Sequence, residues 1–166
     1  RQHPWIGPRV FGGAGTIPVR RPYDRFTAPG LALVGDAACQ VFPAHGSGIG
    51  IGMIAGRVLA EALTGASDPG APGALWGYQA AFMREFGGLL AAYDLFRRAS
   101  QALEGHEVEA MLSAGLVTYV SYRAGLEQRL PRLDPEQIRA SLIGARKAPR
   151  LAAHMARALG RMGPVS

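Results

Sequence analysis

Residues 33–63 read LVGDAACQVFPAHGSGIGIGMIAGRVLAEAL: an apolar run that breaks at Gly35 and Asp36, a loop, and then a helix-forming segment. Leu31 to Val34 is continuously apolar, the pattern of a strand buried on both faces. A carboxylate at the carboxyl end of such a strand stands where open α/β sheets bind ligands. Asp36 there can accept hydrogen bonds from the hydroxyls of a sugar or sugar alcohol. The loop runs to Pro43, and the spacing predicts a helix from near Ser47 to Leu63, with Gly65 as its C-cap.

Gly46, Gly48, Gly50 and Gly52 occupy alternate positions where this helix begins. Glycine costs roughly 1 kcal/mol against alanine in a helix interior, so the run calls for a reason. The first N–H groups of a helix have no partner within it, and the helix dipole adds about half a positive charge. Without side chains in the way, an electron-rich planar ligand can rest on those amides. A second pattern, Gly48, Gly52, Gly56 and Ala60 at four-residue spacing, permits close packing against a sheet or helix. Packing accounts for Gly52 and Gly56 but leaves Gly46, Gly48, Gly50 and Asp36 without a role. Gly50-Ile-Gly52-Met-Ile-Ala55 formally fits a dinucleotide fingerprint, yet it starts fourteen residues beyond Asp36. The fingerprint needs a tight strand-to-helix turn, so the match is accidental.

Upstream, RVFGGAGTIPVR at 9–20 reads as short strands joined by a turn, and Ala28-Pro29-Gly30 as a further turn. Downstream, GASDPGAPG at 65–73 is a linker, and the chain beyond it is helical. Leu75, Tyr78, Phe82, Phe86, Leu89, Tyr93 and Phe96 recur at three- and four-residue spacing, the core face of one long helix that Gly87 and Gly88 kink. A second helix is predicted over 106–127. Asp134-Pro135-Glu136-Gln137 is a helix start with a capping box, and a last amphipathic helix is predicted over 149–162.

The composition, 48% hydrophobic and 18% charged, is that of a globular chain. A net charge of +6 raises the question of nucleic acid. The arginines are spread along the second half without a block, and no zinc spacing or RNA-binding aromatic pattern accompanies them, so they read as helix-surface charges. His3, His106 and His154 share no motif, and no metal site is expected. Cys39, the only cysteine, leaves no internal disulfide and fits a reducing compartment; it reads as a small buried apolar residue. No apolar run reaches the ~18 residues of a membrane span, which points to a cytoplasmic protein with at most peripheral membrane contact. The chain starts at Arg1, and RQHPWIGPRVFGGAG is no signal peptide. It reads as the C-terminal part of a longer protein whose N-terminal part is its partner.

The stretch GLALVGDAACQVFPAHGSGIGIGMIAGRVLAEAL, residues 30–63, resembles the second FAD motif of the flavoproteins that include aromatic hydroxylases and geranylgeranyl reductases. That motif is Gly-Asp-Ala-Ala, a short loop, then Pro-x-x-Gly-x-Gly-Ile at a helix start. Asp-Ala-Ala-Cys-Gln with Pro-Ala-His-Gly-Ser-Gly-Ile, and Ile-Pro-Val-Arg-Arg-Pro upstream, are closest to the geranylgeranyl reductase branch, as is 75–87 after the motif. Phe42 stands where that branch has asparagine, and Ser47 where glycine is common.

The resemblance implies the C-terminal portion of an α/β, Rossmann-like FAD-binding fold: residues 1–66 carry short strands and the second FAD motif, and residues 67–166 form a helical C-terminal region. It implies FAD bound by Gly35, Asp36, Pro43, Gly46, Gly48 and Ile49. Asp36 would take the ribityl chain, and the amides near Gly48 and Ile49 would face the flavin ring. His45 sits beside the presumed flavin, with a structural role favoured over proton donation. The expected activity is saturation of isoprenoid double bonds in a prenyl lipid or other hydrophobic substrate, with NADPH or another reductant as electron donor and no assigned catalytic residue. A flavin-dependent monooxygenase acting on an aromatic or polyketide substrate, and a cofactor-free helical interaction module, are the alternatives. The module leaves the bare helix start unexplained. Arg20 and Arg21 read as an exposed strand-end pair.

Overall fold

Pro29 and Gly30, with Gly30 at φ 71°, turn the chain back on itself and pair β1 (Thr27–Ala28) antiparallel with β2 (Leu31–Ala32). In this computed structural model the described residues are 7, 8, 10–13, 15–132, 134–150, 153 and 157. Thr27 faces Ala32 and Ala28 faces Leu31 in the register. The turn is held from outside as well, because Gly30 N–H donates to the Gly70 carbonyl at 3.0 Å. The expectation of a strand buried on both faces is corrected here. Leu31 is 53% exposed because β2 pairs on one side only and the ladder stops after Ala32. Leu33 and Val34 continue half-buried, packed on the core. The described residues form this two-stranded sheet and are otherwise mostly helical; an open parallel sheet is not among them.

A 3₁₀ turn, Gly35–Ala38, follows, and then α1 (Ile49–Leu63). Ile51, Ala55 and Val58 are its buried positions, the three- and four-residue spacing of one helical face. Gly65 beyond its end adopts φ 78°. After the linker come α2 (Pro72–Phe82), a π-helical turn over Met83–Gly87, and α3 (Gly88–Gln101). The expected long helix with a disturbance at Gly87 and Gly88 is thus present, and the disturbance is a widened turn. A Cβ on Gly87 would lie 3.0 Å from Met83 Cε, so the small residue lets the turn close.

The single helix expected over 106–127 is two. Helix α4 (Gly105–Ser113) opens on a reciprocal cap between Glu104 and Glu107. Gly115 at φ 69° ends it, and Thr118 restarts the chain as α5 (Tyr119–Leu126) by accepting the Ser121 N–H. The apolar periodicity continues across the break, which hides these local cap signals. Helix α6 (Pro135–Lys147) begins as expected, with Asp134 and Gln137 capping each other and Pro135 in the first turn. The helix expected over 149–162 lies mostly outside the described residues.

The core is one cluster drawn from both sides of the linker. Phe26, Ala38, Phe42, Ile51, Ala55 and Val58 meet Tyr78, Phe82, Leu90 and Tyr93. Phe26 meets Tyr78 and Phe82 edge-on, with ring centroids 5.3 and 6.0 Å apart, a geometry worth about 0.5–1.5 kcal/mol per pair beyond the area buried. The aromatic stripe of α2 and α3 is therefore core packing, as its spacing predicts, until Phe96, which is 39% exposed.

Candidate functional site

The chain turns sharply at the end of the apolar run because Gly35 takes φ 66°, a left-handed conformation that glycine reaches without strain. Asp36 then projects, exposed, from the 3₁₀ turn. Phe42 N–H donates to the Ser47 carbonyl and Gly46 N–H to the Phe42 carbonyl, both at 2.9 Å, which closes the loop on itself. Gly46 turns it at φ 73°, and Pro43 is fully buried beneath. The loop delivers Gly48, the N-cap of α1, directly against Asp36. A Cβ on Gly48 would fall 2.9 Å from Asp36 Oδ1 and 3.4 Å from Val41 Cγ2. The aspartate side chain takes the space that any larger residue at 48 would need.

Among the described residues, no side chain caps α1 and no acidic residue stands in its first turn. Ile49 is 84% exposed. A carboxylate and an open helix N-terminus are thereby brought together at one glycine, so hydroxyl donors and electron-rich groups can be held side by side. Other glycines of the run are less constrained: a Cβ on Gly50 or Gly56 would meet nothing within 4 Å. Gly52 makes an ordinary approach to Gly35 Cα at 3.6 Å. Packing within the described chain, offered above as the reason for Gly52 and Gly56, therefore does not demand glycine at 56.

Two residues that the sequence reading did not single out hold this arrangement. Gln40, with no exposed surface, accepts from Gly35 N–H at 2.7 Å and donates through Nε2 to Tyr78 Oη at 2.8 Å. Tyr78 Oη in turn donates to the Leu33 carbonyl at 3.0 Å. The strand end on either side of Val34 is thus fixed from α2. Burial pushes the Tyr78 phenol above its usual range, and the Gln40 hydrogen bond opposes that. Gln79 does the same for the chain before β1: its Oε1 accepts from Phe26 N–H at 3.0 Å and Thr27 Oγ1 at 3.1 Å, and its Nε2 donates to the Asp24 carbonyl at 2.9 Å. A glutamine inside a motif loop was the available signal for Gln40. Tyr78 was legible only as a core residue.

His45 is exposed on the loop. Its Nε2 lies 3.3 Å from the Gly125 carbonyl, which can only accept, so this contact assigns the proton to Nε2. Its ring lies 4.8 Å from that of Phe42, which sits 4.5 Å from Tyr93 on its own part. Arg20 and Arg21 are engaged elsewhere: Arg21 pairs with Asp24 at 2.7 Å, and the Arg20 guanidinium lies 5.0 Å over the Tyr23 ring. Cys39 is a buried free thiol. No group of three or more His, Cys, Asp or Glu among the described residues could hold a metal ion, and no described helix is long and apolar enough to cross a membrane.

With this geometry in hand, likeness to known proteins becomes informative. A digeranylgeranylglycerophospholipid reductase of Sulfolobus acidocaldarius is 35% identical over 101 residues, 60% of this chain and 22% of that protein. Proteins of the same name resemble it in Methanothermobacter thermautotrophicus, at 35% over 108 residues covering 63% of this chain and 28% of the relative, and in Methanothrix thermoacetophila, at 40% over 88 residues covering 51% and 21%. The chain is homologous to these digeranylgeranylglycerophospholipid reductases over roughly half to two thirds of its own length. No protein-family profile matches it. The chain spans about a quarter of the length of these geranylgeranyl reductase relatives, 22% and 28% for the first two.

Proposed function

We propose that the chain is the C-terminal part of an FAD-dependent reductase that saturates isoprenoid double bonds, with residues 1–66 completing the FAD-binding domain and 67–166 forming a helical region. One observation carries the reading: the Asp36 carboxylate and the uncapped start of α1 meet at Gly48, where a Cβ would fall 2.9 Å from Asp36 Oδ1. This cradle suits FAD, whose ribityl chain offers hydroxyl donors and whose ring offers an electron-rich edge. Asp36 would accept from the ribityl hydroxyls, the N–H groups of Gly48 and Ile49 would face the ring, and Gly35, Pro43 and Gly46 would set the course of the loop. When bound, FAD supplies the hydride for the double bond.

The chain's own part is positional and electrostatic. Gln40 and Tyr78 fix the strand end so that Asp36 keeps its place, and donors that are already oriented stabilise developing charge without reorganising. The names of the relatives favour reduction over monooxygenation. The test is FAD titration in the longer protein that carries this chain. Asp36→Ala removes a charge-assisted hydrogen bond worth roughly 1.5–3 kcal/mol, so the dissociation constant is expected to rise about 10- to 150-fold. Wild-type affinity in the mutant would remove the ribityl assignment.

A further inference from the structure

Helix α5 is eight residues long, and isolated helices below about 12–15 residues are marginal in water. Its ends therefore decide whether it forms. Thr118 holds the first turn by accepting the Ser121 N–H at 3.2 Å. At the other end the last carbonyls lack an α-helical partner, and side-chain donors from outside can take them up. Two such donors come from distant parts of the chain. His45 Nε2 stands 3.3 Å from the Gly125 carbonyl, across 80 positions of sequence. Tyr93 Oη donates at 2.7 Å to the Arg129 carbonyl, just beyond the helix.

The same two residues meet the motif loop. The fully buried Phe42 ring has its centroid 4.8 Å from that of His45 and 4.5 Å from that of Tyr93. The Phe42 backbone closes the loop through Ser47 and Gly46, immediately before Gly48 opens α1. Contacts thus run without a gap from the end of α5, through His45 and Phe42, to the amides at the start of α1.

We propose that His45 is a positioning residue that couples the folding of α5 to the course of the motif loop. Its Nε2–H caps the C-terminal end of α5, and the docked helix in return holds the loop that aims the α1 amides. The bearing of this on a cofactor rests on the flavin reading above; the coupling itself does not. Linkage makes the effect reciprocal: whatever fixes the loop protects α5, and whatever frays α5 loosens the loop.

Amide hydrogen exchange of the 166-residue protein tests the coupling. His45 is exposed, so its replacement leaves the core intact. His45→Ala is expected to speed exchange in α5 by about 2- to 10-fold, the effect of one ordinary hydrogen bond. His45→Gln keeps a donor at nearly the same reach and should restore the wild-type rate. FAD titration of the longer protein tests the positioning. His45→Ala should raise the dissociation constant by about 2- to 10-fold. Thr118→Ala, which removes the cap at the far end of α5, should raise it by a smaller factor. The double variant should bind no more weakly than His45→Ala alone, because the link that carries the Thr118 effect is already gone.

Unchanged exchange in α5 of His45→Ala would overturn the proposal. So would additive effects of the two variants on FAD, the mark of His45 touching the flavin directly. Wild-type FAD affinity in Thr118→Ala, with α5 shown by exchange to be frayed, would overturn it as well. A longer protein that takes no FAD, with α5 still loosened in His45→Ala, would sink the flavin reading and leave the tie between loop and helix standing.

Discussion

Gly48 is the residue at which sequence and site geometry meet. Its Cβ clash is with Oδ1, the end of a short side chain, and not with backbone; Asp36 can swing away at modest cost. Gly48→Ala is therefore expected to leave the melting temperature nearly unchanged while weakening FAD in the longer protein. Gly48→Val adds bulk over the α1 amides, and the flavin midpoint potential should move negative, by about 20 mV for each kcal/mol lost from the reduced state relative to the oxidised one. An unchanged potential, by spectroelectrochemical titration, would leave the glycine as a packing residue. The approach of Gly48 to Asp36 was legible because both belong to one strand–loop–helix stretch of sequence, only twelve positions apart. Gln40 and Tyr78 stand 38 positions apart, and no local rule links a loop glutamine to a helix tyrosine before the fold brings them together.

At the scale of elements, two glycines make opposite predictions. Gly56 lies inside α1 with nothing near its missing Cβ, so Gly56→Ala is expected to add about 1 kcal/mol through helix propensity, a rise of roughly 2–4 °C by thermal melting. Gly144 lies inside α6 with its missing Cβ directed into the Ala114 carbonyl. A backbone atom cannot step aside cheaply, and overpacking of this kind costs about 1–3 kcal/mol, so Gly144→Ala should lower the melting temperature. Helix positions were readable where a cap signal was strong, as at Asp134. The break between α4 and α5 was not, because Leu116 and Tyr119 keep the apolar rhythm through it. The two-residue strands defeated the pattern too: an apolar run says that surface is to be covered, not by what.

For the molecule as a whole, buried phenols set an alkaline limit. Burial raises the pKa of both Tyr78 and Tyr93, with Gln40 and Arg129 respectively opposing it. The folded state then holds protons that the unfolded chain gives up near the ordinary tyrosine value of 10.0. Stability from this source is full below that pH and falls as the pH rises through the higher folded values. Chemical denaturation across that range should show the decline, and Tyr78→Phe should flatten it while lowering stability at neutral pH, since Gln40 Nε2 loses its acceptor. Phe42 of the loop, stacked toward Tyr93 of α3, has a consequence for how the chain can be divided. The stretch at 65–73 looks like a seam, yet aromatic rings on its two sides complete one another. Cut there and expressed as two polypeptides, 1–68 and 69–166, the pieces should copurify as a complemented pair, and either alone should be insoluble. Inheritance would then treat them as one unit: a recombination that exchanged the helical half for another would strip the motif loop of the rings that support it.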